Sequence, residues 1–151
     1  MIMEGWDEMK SDDAGVLREV QRNTKMAMKA IDALSNKIYD DSLSMHVARE
    51  AMKYAEIYNK ATDRLLDGKA SSYRDNGFQD MMLKGSVSAN TMLNTSTSHI
   101  AEMLIQGSNR GLTSMWKSIN HHDKAGDVSM EVAKELMDFE EKNIEHLKQF
   151  L

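Results

Sequence analysis

Apolar residues recur along this chain at three- and four-residue intervals, the spacing that places side chains on one face of an α-helix. The first stripe of this kind spans residues 12–38 and the second spans residues 43–65, ending before Gly68. The polar turn at residues 40–42 between them is short, and this predicts that the two helices are antiparallel neighbours.

Two further segments have the same periodicity. One spans residues 78–119, and the other begins at Asp127 and continues to the C-terminus. Four long amphipathic helices with short connections predict an all-α, ferritin-like fold, an antiparallel up-down-up-down four-helix bundle. We expect residues 1–11 to be an N-terminal tail and residues 12–151 to form a single domain.

The third predicted helix is apolar on two faces. The residues of its first face are Met82, Ala89, Leu93, Ser96, Ile100, Leu104, Gly107 and Gly111. The residues of its second face are Leu83, Val87, Ala101, Ile105, Leu112, Trp116 and Ile119. Because both faces must be covered, the second predicts either a homodimer interface or a contact with the apolar residues of the tail. Those tail residues are Ile2, Met3, Trp6 and Met9. Within the first face, Gly107 and Gly111 are one turn apart and predict either a close approach by a neighbouring helix or a local kink.

Glu140 lies on the centre line of the apolar stripe of the fourth predicted helix. The stripe consists of Ala133, Leu136, Met137, Ile144, Leu147 and Leu151. A buried carboxylate must be hydrogen-bonded, paired with a cation or metal, or protonated through a raised pKa. Glu140 therefore predicts a polar centre inside the bundle.

Other polar residues should lie level with Glu140 in an antiparallel bundle. Those on inward faces are Asn23, Thr24, Tyr54, Tyr58, Ser96 and Thr97, and His99 and Asn143 lie at the edge of the layer. Ferritin-like di-iron proteins place their metals at this level, with Glu-x-x-His motifs on two helices. Here Asn143 stands three residues after Glu140 in place of His, which disfavours a di-iron oxidase. A single iron or other divalent metal held by Glu140 and His99 stays an alternative to a hydrogen-bonded layer without a cofactor.

Composition excludes several other classes of function. The chain has no cysteine, which excludes disulfides and thiolate chemistry. Two further histidines, His46 and His146, lie off the apolar stripes of their helices, and we expect them at the surface. A net charge of −5, with both signs mixed along the chain, offers no basic face to nucleic acid. No segment is apolar enough for a membrane span or a signal peptide, so we expect a cytoplasmic protein without a membrane partner.

Two segments carry a resemblance to a known family. They are residues 94–111, beginning NTSTSHIAEM, and residues 139–145, FEEKNIE. The chain resembles a family of small, uncharacterised ferritin-like bundle proteins of anaerobic Gram-positive bacteria, over most of its length from about Val20. The resemblance implies a ferritin-like four-helix fold and a cytoplasmic bacterial protein, and it implies no activity.

Three hypotheses of function follow from the sequence. The first is a non-enzymatic, self-associating structural or interaction protein, a homodimer through the third helix, whose polar layer determines helix register. The second is a degenerate metal-binding ferritin-like protein with a site near Glu140 and His99. The third is a small-ligand carrier whose interior contains Tyr54, Tyr58 and several methionines.

Overall fold

The computed structural model describes residues 9–75, 77–91 and 94–151, with the backbone alone for residues 78–80 and 90. The helices of these segments are α1 Ser11–Ser35, α2 Asp41–Asp67, α3 Phe78–Thr91, α4 Thr97–His121 and α5 Asp127–Leu147, and a 3-10 turn follows at Lys148–Phe150. The predicted all-α class is confirmed, since the described segments contain helices and no strand.

The first two helices form where the periodicity predicts them. α2 begins after Asp40, whose side chain accepts a hydrogen bond from the backbone N–H of Leu43 at 2.8 Å, a standard N-terminal cap. α2 ends at Asp67, and Gly68 occupies the C-cap position as predicted. α1 ends at Ser35, three residues before the predicted end.

The third predicted helix is wrong as a single element, because the chain leaves the helical path between α3 and α4. Asn94 Oδ1 accepts a hydrogen bond from the backbone N–H of Ser96 at 3.0 Å, and Ser96 Oγ accepts one from the backbone N–H of His99 at 3.2 Å. These short polar side chains replace the helical carbonyl acceptors and start a new helix at Thr97.

The break changes which face of α3 is buried. Val87, assigned to the second apolar face, is buried, whereas Met82 and Ala89 of the first face are exposed. Leu93 of the first face lies outside the described residues. In α4 the predicted first face holds at Ile100 and Leu104, which are both buried. An apolar stripe cannot be extended across a break in a helix, because the second helix can be rotated about its axis relative to the first and can bury a different face.

The described helices pack on one another around a common core. α1 contacts α2, α4 and α5, α5 also contacts α2 and α4, and α3 packs against α1. Buried Asp13 of α1 joins two of these helices, because its Oδ1 accepts hydrogen bonds from Gly126 N at 2.9 Å and Ser129 Oγ at 2.6 Å at the start of α5. Within the described residues, no helix is long and apolar enough to cross a membrane.

The predicted cover by the N-terminal tail is described only at Met9. Its backbone N–H donates a hydrogen bond to Gly68 O at 3.1 Å, so Met9 lies over the end of α2. The other tail residues of that prediction, Ile2, Met3 and Trp6, lie outside the described residues.

Candidate functional site

Glu140 is buried in the interior as predicted, with 1% of its surface exposed. It reaches the interior because α5 passes close to Gly111 of α4, where a Cβ would lie only 2.3 Å from Glu140 Oε2. Glycine at position 111 therefore makes room for the carboxyl group. The other predicted close approach is wrong, since a Cβ at Gly107 would have no neighbour within 4 Å.

The Glu140 carboxyl group is incompletely satisfied. Asn23 of α1 hydrogen-bonds to it, and Asn23 Nδ2 also donates to Gly111 O at 2.9 Å. Glu140 Oε1 is buried and has no hydrogen-bond partner among the described residues. Burial raises the pKa of Glu140 to about 8; the hydrogen bond from Asn23 opposes the rise, and the nearby charges of Glu19 and Glu50 add to it.

A second buried carboxyl group, that of Glu50 on α2, lies near Glu140. His46 Nε2, one turn earlier on α2, lies 2.7 Å from Asn143 Oδ1 and 3.2 Å from Glu50 Oε1. The contact with Glu50 is an ion-pair approach rather than an aligned hydrogen bond, so Glu50 Oε1 has no described hydrogen-bond partner. The contact with Glu50 raises the pKa of His46, and burial of the ring opposes the rise.

The prediction that His46 is a surface group is therefore wrong. Its side chain is only 16% exposed, and its ring stacks on that of His146 with centroids 4.2 Å apart. His146 itself is exposed, as expected. His46 is half-buried because it lies one turn before Glu50 on the same face of α2, toward Asn143 of α5.

Tyr54, one turn after Glu50, closes the cluster. Its side chain is buried, and its ring packs edge-on against Phe139 with centroids 5.0 Å apart. Burial raises the pKa of Tyr54, the charges of Glu140 and Glu50 raise it further, and hydrogen bonds with Ser108 and Asn143 oppose them. The phenol is therefore neutral and acts as a hydrogen-bonding group.

Several residues of the predicted polar layer lie elsewhere or bond elsewhere. Ser96 is exposed at the cap of α4, next to Thr97, so neither belongs to the interior at this level. The Thr24 hydroxyl is buried but donates to Val20 O of its own helix at 2.8 Å. Tyr58 is half-buried.

The structure does not bring His99 to Glu140. His99 lies in the first turn of α4, and Gly111, which contacts Glu140, is twelve residues or about 18 Å of helix rise further along. Within residues 9–75, 77–91 and 94–151, no group of three His, Cys, Asp or Glu side chains has a geometry that could hold a metal ion. Glu56 and Glu102 are exposed.

The carboxyl cluster lines one end of a cavity of about 430 Å³. Its buried polar lining consists of Asn23, Glu50, Tyr54, Ser108, Glu140 and Asn143, and the half-buried Arg22 and Ser114 line it as well. Its apolar lining includes Met26, Ala27, Ala30, Ile31, Leu34, Leu83, Val87, Met103 and Leu104. The exposed residues Ser86, Gln106, Gly107 and Arg110 form its mouth between α3 and α4. A cavity of this size with an apolar wall and a few convergent polar groups is typical of a small-molecule site.

Sequence reasoning missed the grouping of His46, Glu50 and Asn143 and did not foresee the cavity. The four-residue spacing of His46, Glu50 and Tyr54 was a signal, since it places all three on one face of α2. Pairing them with Asn143 requires the rotation of α5 relative to α2, which no spacing along one helix contains. The chain matches no protein-family model, curated protein or solved structure.

Proposed function

We propose that this protein binds a small amphiphilic molecule in the cavity beside Glu140, which is the third of the hypotheses from sequence. The observation that carries the proposal is the cavity itself, with apolar walls along α1, α3 and α4 and buried polar groups at its inner end. Protein interiors are close-packed and contain few voids larger than a water molecule. A space of this size that side chains leave unfilled therefore supports a ligand site.

We propose in addition that α1, α2, α4 and α5 form a ferritin-like four-helix bundle, with α3 beside α1. The contacts among these four helices support this architecture. In bundles, ligand sites are built in the core from side chains on facing helices. Asn23, Glu50 and Glu140 come from three different helices and line the same cavity. The metal-binding hypothesis has less support, since His99 does not join Glu140 and Asn143 occupies the position of an imidazole ligand.

The test uses the uncharged, solvent-sensitive fluorophore prodan and the full chain. We expect its emission to shift to the blue on binding and to saturate at about one molecule per chain. A Cβ at Gly107, which lies at the mouth, would have no neighbour within 4 Å, so Gly107→Phe should obstruct the cavity without a clash. This variant should weaken prodan binding at least about tenfold.

Gly85→Phe is the matched control. Gly85 also lies in an exposed helical position with no neighbour within 4 Å, and it does not line the cavity. It should bind prodan as the unmodified protein does. Equal binding by the two phenylalanine variants, or no saturable binding by the unmodified protein, would rule out this function.

Self-association through α4 is a second proposal, supported by one exposed aromatic residue. Trp116 is 52% exposed and lies on the face that the sequence predicts as a dimer interface. Ile105 and Leu112 of the same predicted face are half-buried against the core, so the surface offered to a second copy is narrower than the sequence predicted.

A further inference from the structure

The inner end of the cavity contains two buried carboxyl oxygens without a hydrogen-bond partner among the described residues. Glu50 and Glu140 each direct a buried carboxyl group to its wall, and the Oε1 atom of each has no hydrogen-bond partner among the described residues. We propose that the ligand is a protonated amine with an apolar portion, and that its ammonium group sits between Glu50 and Glu140. This inference rests on the proposed function, since it assumes that the cavity receives a ligand.

An ammonium group matches what these two residues lack. A buried acceptor without a donor is costly, and a primary ammonium carries three N–H donors and no acceptor. The hydrogen bonds it makes to carboxylates are charge-assisted and therefore stronger than those of a neutral donor. A hydroxyl ligand has a single O–H donor for the two carboxyl groups and carries no charge that would stabilise the ionised form of either.

The charges around the inner end also favour a cation. Arg22 of α1 also lines the cavity, but its guanidinium is paired with Glu19, whose Oε1 lies 2.7 Å from Arg22 Nη2, so these two charges offset each other. On α2, His46 is the cationic neighbour of Glu50 when it is protonated. Arg110 of α4 is exposed at the mouth rather than at the inner end. Glu140 itself has no cationic side chain hydrogen-bonded to it among the described residues, so an anionic ligand at this end would meet two buried carboxyl groups.

The walls of the remainder of the cavity favour an apolar group attached to the amine. Its walls are aliphatic and thioether side chains, with Ile31, Leu83 and Leu104 among the larger ones. An alkyl or aryl group of a few carbon atoms attached to the ammonium would be buried there, which favours binding in proportion to the area removed from water. A free inorganic cation or ammonia has no apolar group, so these apolar walls would stay in contact with water.

Binding of the amine should release a proton from Glu140. The pKa of Glu140 is raised to about 8, so the free protein holds this carboxyl group mainly protonated at pH 7. An ammonium beside it favours the ionised form and lowers its pKa. Affinity should therefore rise several-fold from about pH 6 to about pH 8, where a primary alkylamine is still protonated. Loss of the His46 proton over this range acts in the same direction, because it frees Glu50, while Tyr54 stays neutral.

The experiment is displacement of prodan by three ligands of similar shape and different charge: 2-phenylethylamine, 2-phenylethanol and 3-phenylpropanoate. We expect the amine to bind at least about tenfold more tightly than the alcohol, and the carboxylate to bind most weakly. Calorimetry of the amine in buffers with different ionisation enthalpies should reveal proton release near pH 7.

Two variants and one control locate the ammonium. Glu140→Gln and Glu50→Gln should each remove most of the preference for amine over alcohol, measured as the ratio of the two affinities in the same variant. Glu56→Gln is the control, because Glu56 is also on α2 but its side chain is 54% exposed and outside the cavity. It should leave the preference unchanged. Using two separate glutamine variants keeps the test valid if one of them fails to fold.

The outcomes separate this inference from the proposed function. Equal affinity for amine and alcohol, or an unchanged preference in both glutamine variants, would overturn the amine assignment. The ligand-binding function would still stand in that case if Gly107→Phe weakened prodan binding. Amine binding that requires an added divalent ion and disappears with EDTA would overturn it in favour of a metal. If prodan itself does not bind, both proposals fail together.

Discussion

The carboxyl group of Glu140 rests against Gly111, so that a methyl group at position 111 would lie 2.3 Å from Glu140 Oε2 and 3.0 Å from Asn23 Oδ1. This contact joins α5, α4 and α1 at the inner end of the cavity. It also makes the position of the carboxyl group depend on the absence of a side chain on a neighbouring helix.

Gly111→Ala should destabilise the protein by about 1–3 kcal/mol, because the methyl group displaces a buried carboxyl group and overpacks the interior. The loss should occur although alanine is a better helix former by about 1 kcal/mol. Gly107→Ala is the matched control in the same helix; it meets no neighbour and should stabilise by about 0.5–1 kcal/mol. Urea unfolding of both variants measures the difference, and a stabilised Gly111→Ala would contradict the contact.

Glu140→Gln should be neutral or mildly stabilising, because it keeps the shape of the side chain and removes a group whose ionised form is penalised by burial. Glu140→Ala should cost about 2–4 kcal/mol, since it removes a buried side chain packed against Gly111 and enlarges the cavity. Thermal melts of the three proteins test this ranking. A chelator-dependent loss of stability in Glu140→Gln would instead indicate a metal site.

Stability should fall as the pH rises from about 5 to 8. The pKa of Glu140 is raised to about 8 in the folded protein from an ordinary value near 4.5, so between these values the folded state binds the proton and the unfolded state does not. The contribution is complete below the unfolded pKa and is lost as the pH passes through the folded pKa. The slope due to this residue approaches about 1.4 kcal/mol per pH unit.

Glu140→Gln is the control for this pH dependence, since it removes the titrating group and keeps its volume. The raised pKa of His46 gives a dependence of the same sign, and it is present in both proteins. Unfolding free energies measured at several pH values should therefore show a shallower decline in the variant. Parallel curves would show that Glu140 does not titrate in this range.

The proposed dimer should depend on Trp116. Trp116→Lys should give a monomer that stays folded, because a 52% exposed side chain contributes little to the core. Val128→Lys, at a 47% exposed residue of α5, is the matched control and should leave association unchanged. Light scattering at tens of micromolar measures the mass. A monomeric unmodified protein at that concentration would reject self-association.

The sequence by itself determined the helical class, the positions of α1, α2 and α5, and the burial of Glu140. Each of these follows from the 3.6-residue period within one segment, which needs no knowledge of the rest of the chain. The run of five short polar residues at 94–98 was also a local signal of the break before α4, and the apolar stripe was extended through it in error.

Only the tertiary structure decided which residues meet at the centre. The packing of Glu140 on Gly111, the approach of His46 to Asn143 and the distance of His99 from Glu140 depend on how helices are offset and rotated against one another. A stripe on one helix specifies the face that is buried, but it does not specify the residue of another helix that lies opposite. The cavity could not be predicted from the sequence, because it is a space between five helices, and its size and shape depend on how those helices pack.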